Sequence, residues 1–324
     1  MADSVDWAFP PALQPRPEQL RFDLEAALQS VVMVHAEIPE DAFTAPFLDT
    51  ERVGSGVVIS SNGLVLTIGY LITEASSIWL TTHGGHVVPG HALAFDQTTG
   101  FGLVLPLGRL DAPVLERGSS VLLEPGDDVV VIGHGGVHHS LNAKIIAKRE
   151  FAGTWEYVLE EALFTSPPHP QWGGTALVGA DGRLLGIGSL LVQEAVSDET
   201  FDANMFVPID ILEPILDEMV TLGRPARAPR PWLGLYAAEL QGHLVVRSLA
   251  QGGPAHRAGV RPGDRVTEVA GQPVSSLAEL FRRIWSVGPA GAEIPLTVAR
   301  GQRASHLRVR SADRNDFLMK PRRH

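Results

Sequence analysis

Twelve histidines and no cysteine bound the chemistry open to this 324-residue chain. Three of the imidazoles, His134, His138 and His139, crowd one loop, and a fourth, His169, sits in Ser166-Pro167-Pro168-His169-Pro170. Clustered imidazoles suit Zn, Ni or Cu. No cysteine partner and no His-Glu-x-x-His spacing accompanies them, so the four read first as polar loop residues, with metal binding as an alternative. The same stretch raises a second chemistry. Ser166 and Thr175 carry hydroxyls on either side of His169, and a hydroxyl beside an imidazole is the minimum of a serine-type nucleophile. Pro167, Pro168 and Pro170 restrict the backbone between them, which weighs against that use. The lack of cysteine removes thiol nucleophiles, disulfides and zinc–thiolate centres together.

These groups need a scaffold, and the composition describes it. The chain is 44% hydrophobic and 19% charged, enough to bury a core, and its length suits two domains. Thirty-three glycines and 24 prolines favour many short strands over a helical bundle. With 26 Lys and Arg against 37 Asp and Glu, the net charge of −11 argues against a dedicated nucleic-acid partner. No twenty-residue apolar span interrupts the sequence, so no membrane-crossing helix is expected. The opening Met-Ala-Asp-Ser-Val-Asp-Trp lacks the basic and apolar regions of a secretory leader, and a cytoplasmic location is the expectation.

From the N-terminus, a Pro-rich arm over residues 1–19 gives way to a short helical pattern and then to strands. Val57-Val58-Ile59 and Leu64-Val65-Leu66 flank Asn62-Gly63, a strong hairpin signal. Strands are predicted at 77–81, 87–95, 103–107, 129–133, 143–147, 157–163, 175–178 and 184–191, a spacing that predicts an all-β barrel or sandwich. Ile209 to Leu222 reads as a helix with Gly223 at its C-terminal cap. The Pro-rich basic run 224–231 is the clearest linker. Beyond it, Ser276-Leu277-Ala278-Glu279 is a capping box that opens a helix.

The stretch Gly54-Ser55-Gly56-Val57-Val58-Ile59-Ser60-Ser61-Asn62-Gly63-Leu64-Val65-Leu66-Thr67 resembles the opening of an HtrA/DegP-type trypsin-like serine protease. Asp181-Gly182-Arg183-Leu184-Leu185-Gly186-Ile187 and Phe206-Val207-Pro208-Ile209 resemble later strands of that domain. Trp232-Leu233-Gly234-Leu235 and Gly253-Pro254-Ala255-His256-Arg257-Ala258-Gly259-Val260-Arg261-Pro262-Gly263-Asp264-Arg265-Val266 resemble a PDZ domain. The resemblance implies a mainly β protein: a trypsin-like double β-barrel over 20–223, the linker 224–231, a small α+β PDZ domain over 232–311, and a basic tail over 312–324.

The family's catalytic positions do not carry its residues. Tyr70 stands at the histidine position, Gly100 at that of the aspartate, just after Asp96-Gln97-Thr98-Thr99, and Trp172 at that of the serine, before Gly173-Gly174. A hydroxyl needs a base and the base an orienting carboxylate, so the barrel reads as a pseudoprotease that needs no cofactor. The PDZ domain becomes the working part. Its resemblance implies that a partner's C-terminal carboxylate is caught by the N–H groups of Leu233, Gly234 and Leu235, with Leu280, Phe281 and Ile284 lining a side-chain pocket. The expected role is a scaffold, adaptor or complex subunit for protein C-termini, as a homo-oligomer or in a hetero-complex. The tail's Phe317-Leu318-Met319 is a candidate anchor or a solvated end.

Overall fold

The computed structural model describes residues 7–196 and 199–319. By contacts the protein divides into two units, one of residues 1–149, 161–225 and 319–324, the other of 150–160 and 226–318. The sequence reading sets 150–160 in the barrels and 312–318 in a separate tail; by contacts both group with the PDZ region.

The first unit is built from two closed barrels. Helix α1 (Leu24–Gln29), capped by the Asp23 carboxylate on the Ala26 N–H, leads into the first. Its strands are β1 (Val31–Glu37), β2 (Glu51–Val58), β3 (Val65–Ile68), β4 (Ser77–Thr81), β5 (Val87–Phe95) and β6 (Phe101–Pro106), closed in the order β1-β2-β3-β6-β5-β4, with α2 (Ala45–Leu48) between β1 and β2. Strand β3 is wholly buried, and β1 buries Val31, Val32, Val34 and Ala36, because Val and Ile suit the packed faces of a closed sheet.

The second barrel contains β7 (Asp128–Ile132), β8 (Ser140–Gly153), β9 (Tyr157–Ser166), β10 (Ala176–Val178), β11 (Leu184–Val196) and β12 (Glu199–Pro208), in the order β10-β11-β12-β9-β8-β7. The single helix predicted over 209–222 is instead a 3-10 turn (Ile209–Ile211) followed by α3 (Leu216–Leu222). Pro214 is the cause, since its ring disfavours helical backbone at Glu213 and removes a donor. Where it is described, the arm is held on the second barrel. Phe9 N–H donates to the His138 carbonyl, Asn142 N–H to that of Leu13, and Phe9 and Leu13 pack on the second barrel's core.

In the second unit, β13 (Leu235–Leu240), β14 (His243–Leu249), β15 (Arg265–Val269), β17 (Glu293–Arg300) and β18 (Arg303–Arg310) form the sheet in that order, with β16 (Gln272–Pro273) beside β15. Helix α4 (Pro254–Arg257) precedes β15. Helix α5 (Leu277–Val287) starts on the Ser276 side chain, which accepts from Glu279 N–H. The Glu279 carboxylate reaches back to Ser275 rather than to Ser276. Leu277, Ala278, Leu280, Phe281 and Ile284 share its buried face. The unit ends by pairing Trp232 with Ala312 and packing Phe317 on Trp232, ring centroids 4.8 Å apart. Phe317 thus anchors inside its own unit; Lys320 to His324 lie outside the described residues.

Candidate functional site

The structure brings Tyr70 and Trp172 together, with Gly100 one hydrogen bond away. Tyr70 lies in the 3-10 turn Gly69–Leu71, and the N–H of Gly69 donates to the Gly100 carbonyl at 2.7 Å. The Tyr70 hydroxyl donates to the Ser189 carbonyl at 2.9 Å. Burial pushes its phenol well above the ordinary tyrosine range, outweighing a hydrogen bond with the Trp172 side chain. A phenol held neutral is a fixed donor, not a base. Asp96, four residues ahead of Gly100, is buried and accepts from Thr99 N–H at 2.9 Å and Thr99 Oγ1 at 2.8 Å.

Gly173-Gly174 serves close backbone packing. Ser55 N–H donates to the Gly173 carbonyl at 2.8 Å. Gly174 has φ +77°, and a Cβ there would overlap the Ser55 carbonyl oxygen. The Gly174 N–H donates to Gly188 at 2.8 Å, so it is engaged within the barrel.

The nucleophile alternative does not assemble. Ser166 Oγ donates to the Asp202 carbonyl at 3.4 Å and Thr175 Oγ1 to that of Trp172 at 2.9 Å. His169 Nε2 donates to the His139 carbonyl at 2.9 Å, and Nδ1 accepts from Gln171 N–H at 3.0 Å. Both ring nitrogens are engaged by backbone, and burial lowers the imidazole to about 4. A different pair was not legible in the sequence: Ser55 Oγ lies 3.1 Å from His134 Nδ1 and accepts from His134 N–H at 3.1 Å. Ser55 is fully buried. Burial, aided by His139, also lowers His134 to about 4.

Three of the four candidate metal ligands do gather, but around carbonyl groups. His139 Nδ1 sits 2.9 Å from the His134 carbonyl and Nε2 2.7 Å from that of Trp7, whose indole stacks on the ring at 4.3 Å. His138 is exposed. Among the described residues no group of three or more His, Asp or Glu side chains is arranged to hold a metal. The histidine cluster fastens the arm to the barrel instead.

The loop Leu233-Gly234-Leu235 does bind a carboxylate, and it is the protein's own. Glu156 Oε1 accepts from the N–H groups of Leu233 (3.1 Å), Gly234 (2.7 Å) and Leu235 (3.0 Å), and Oε2 accepts from Leu233 at 3.1 Å. Gly234 makes the loop: it has φ +69°, and a Cβ there would press on Ala250 at 2.8 Å. Glu156 occupies the three-residue turn between β8 and β9 with φ +63°, where such turns favour glycine. Burial raises its carboxyl to about 7, against the lowering effect of the three N–H groups and of Arg314. Along the free edge of β13, Ala237 N–H donates to the Thr154 carbonyl at 3.3 Å. The expected side-chain pocket is closed. Leu280, Phe281 and Ile284 are fully buried in one cluster with Leu233, Leu235, Ala237 and Val158. Arg282, on the outer face of α5, pairs with Glu150 and, at 2.7 Å, with Glu160.

Comparison with known proteins agrees with this architecture. The trypsin-like peptidase domain family matches residues 54–187, and the PDZ domain family residues 245–300. HhoA of Synechocystis sp., named provisionally as a serine protease, is 28% identical over 80% of this chain and 70% of its own. HhoB of the same organism is 25% identical, over 80% of this chain and 66% of its own length. The DegP-like endoprotease of Halomonas elongata is matched over only 57% of its length. Among solved structures, the HtrA-type protease AlgW with decapeptide superposes with a TM-score of 0.54 at 20% identity, covering 93% of this chain and all of the other. A serine endoprotease from Yersinia pestis gives 0.51 at 19%, over 91% and 99%. The chain is a trypsin-like peptidase domain joined to a PDZ domain. That combination is the one found in the HtrA/DegP-type relatives to which the chain is similar. No helix among the described residues is long and apolar enough to cross a membrane.

Proposed function

We propose that this protein is a catalytically inactive HtrA/DegP-type protein, acting as a scaffold, adaptor or complex subunit that recognises protein C-termini through its PDZ domain. The observation that carries the reading is the pair of engaged groups where a base and nucleophile belong. Tyr70 is a neutral phenol tied to the Ser189 carbonyl, and Trp172 offers no hydroxyl to activate. The PDZ half is supported by the loop 233–235, whose three N–H groups converge on a carboxylate.

One observation favours a second reading, a serine-type endopeptidase: the contact between Ser55 and His134 beside Gly173-Gly174. Complete burial of Ser55 keeps its hydroxyl from a substrate carbonyl.

The test is a time course with a denatured protein substrate, read by intact mass, with parallel fluorophosphonate labelling. No cleavage and no adduct over days is the expected result. Cleavage with an adduct on Ser55, Ser166, Thr175 or any other hydroxyl, lost on its replacement by alanine, overturns the proposal.

A further inference from the structure

The segment that fills the carboxylate loop has the features of a ligand. Glu156 supplies a carboxylate to the three N–H groups, and Thr154, two residues earlier, offers its carbonyl to Ala237 on the same strand edge. Leu235 and Ala237 are two apart on β13, so their N–H groups face the same side, as main-chain pairing with an added strand requires. The direction is also that of a bound peptide end, with the carboxylate-bearing residue last and the paired carbonyl before it. Glu156 holds this place in left-handed backbone without being glycine, a conformation that persists only where surrounding contacts enforce it. Tyr157 and Val158 are buried just behind it, and Arg282 braces Glu150 and Glu160 at the two stems.

We propose that Glu156 is an internal ligand of the PDZ carboxylate loop, and that an incoming C-terminus gains the groove by displacing the hairpin tip 153–157. This rests on the reading of the PDZ domain as a receptor for protein C-termini. The chemical class of the displacing partner follows from what it must replace: an extended peptide end with a free α-carboxylate for the three N–H groups and a main-chain carbonyl for Ala237. A tethered competitor acts at high effective concentration, so the apparent affinity falls by the fraction of molecules whose tip is released. The groups facing Glu156 besides the three N–H donors are Arg314 and Tyr236; Arg314 favours the ionised carboxylate, and desolvation raises the half-buried Tyr236 phenol.

The experiment compares wild type with Glu156→Ala and Glu156→Gly, the latter keeping the turn's backbone at home while removing the carboxylate. The probe is a pool of fluorescein-labelled decapeptides ending in Val, Leu, Ile or Phe, each as free acid and as C-terminal amide, read by anisotropy. Amide exchange at Leu233, Gly234 and Leu235 is followed by NMR without peptide. The expected result is binding of the free acids at least tenfold tighter in both variants, no gain for the amides, and faster exchange at the three positions. Equal affinity in wild type and variants overturns the internal ligand and leaves C-terminal recognition standing. If no free acid binds any form, the C-terminal recognition fails; faster exchange in the variants then still supports Glu156 as the loop's occupant, and unchanged exchange removes it.

Discussion

The Glu156 carboxylate lies 2.7 Å from the Gly234 amide nitrogen, across 78 residues of sequence. That bond puts an acidic side chain where the PDZ loop was expected to hold a foreign C-terminus. It also makes the loop's chemistry visible, because three converging N–H groups form a concave donor that suits one anion.

The apolar floor under this loop sets the stability of the second unit. Phe281 is fully buried among Leu233, Leu235, Ile284 and Val158. Phe281→Ala should cost about 3–5 kcal/mol by lost transfer and cavity formation. Denaturant unfolding followed by the fluorescence of the native tryptophans checks this; a loss under about 1 kcal/mol contradicts the packing described.

Restoring a hydroxyl at the cleft should not restore chemistry. Trp172→Ser leaves Tyr70 as the neighbouring side chain, fixed on Ser189 and too weak an acid–base group to accept the serine proton. Fluorophosphonate labelling of this variant should give no adduct. Adding Tyr70→His and Gly100→Asp faces a further obstacle, since position 100 has φ +84°, where a side chain is strained. Rapid labelling of the single variant contradicts this account of the cleft.

Gly174→Ala should be severe. The added Cβ overlaps the Ser55 carbonyl oxygen at a position with φ +77°. Neither the backbone angle nor the overlap can relax without moving β2, so a loss of at least about 3 kcal/mol or of soluble protein is expected. Thermal unfolding of purified protein is the check, and a Tm indistinguishable from wild type contradicts the close approach.

Acid should loosen the barrel unit through two imidazoles. His134 and His169 are both lowered to about 4, chiefly by burial, and each lies near His139. Their folded values lie below the ordinary 6.5, so the stability they confer is complete above pH 6.5. It is lost as pH falls from there through about 4, because the unfolded state takes up protons the fold refuses. For the fully buried His169 the loss is roughly 2–3 kcal/mol. Urea unfolding at pH values from neutral down to about 4 should show this slope, and His169→Gln should flatten part of it. An unchanged slope in the variant contradicts the assignment.

The sequence carried the local patterns well. Alternation set β4 and β5 at the bounds observed, 77–81 and 87–95, and Ser276 did cap α5. Long-range placement was less legible. Pro214 split a helix whose apolar spacing looked continuous, since periodicity does not register a lost N–H. Tyr70 lies against Trp172, and its neighbour Gly69 bonds to Gly100, yet nothing in spacing pairs Ser55 with His134 across 79 residues. Glu156 was missed for the same reason. Its one local signal is an acidic residue in a turn slot that favours glycine, in Gly153-Thr154-Trp155-Glu156-Tyr157, and that signal has no meaning until the fold supplies the three N–H groups.

The most direct measurement is a carbon-13 NMR titration of the Glu156 side-chain carboxyl, assigned by comparison with Glu156→Gln. A carboxylate buried in the loop should titrate at about 7, well above an ordinary glutamate, since burial outweighs the donors of Leu233, Gly234 and Leu235 and the charge of Arg314. Titration near 4.5, the value of a solvent-exposed glutamate, would place the side chain in water and contradict the account.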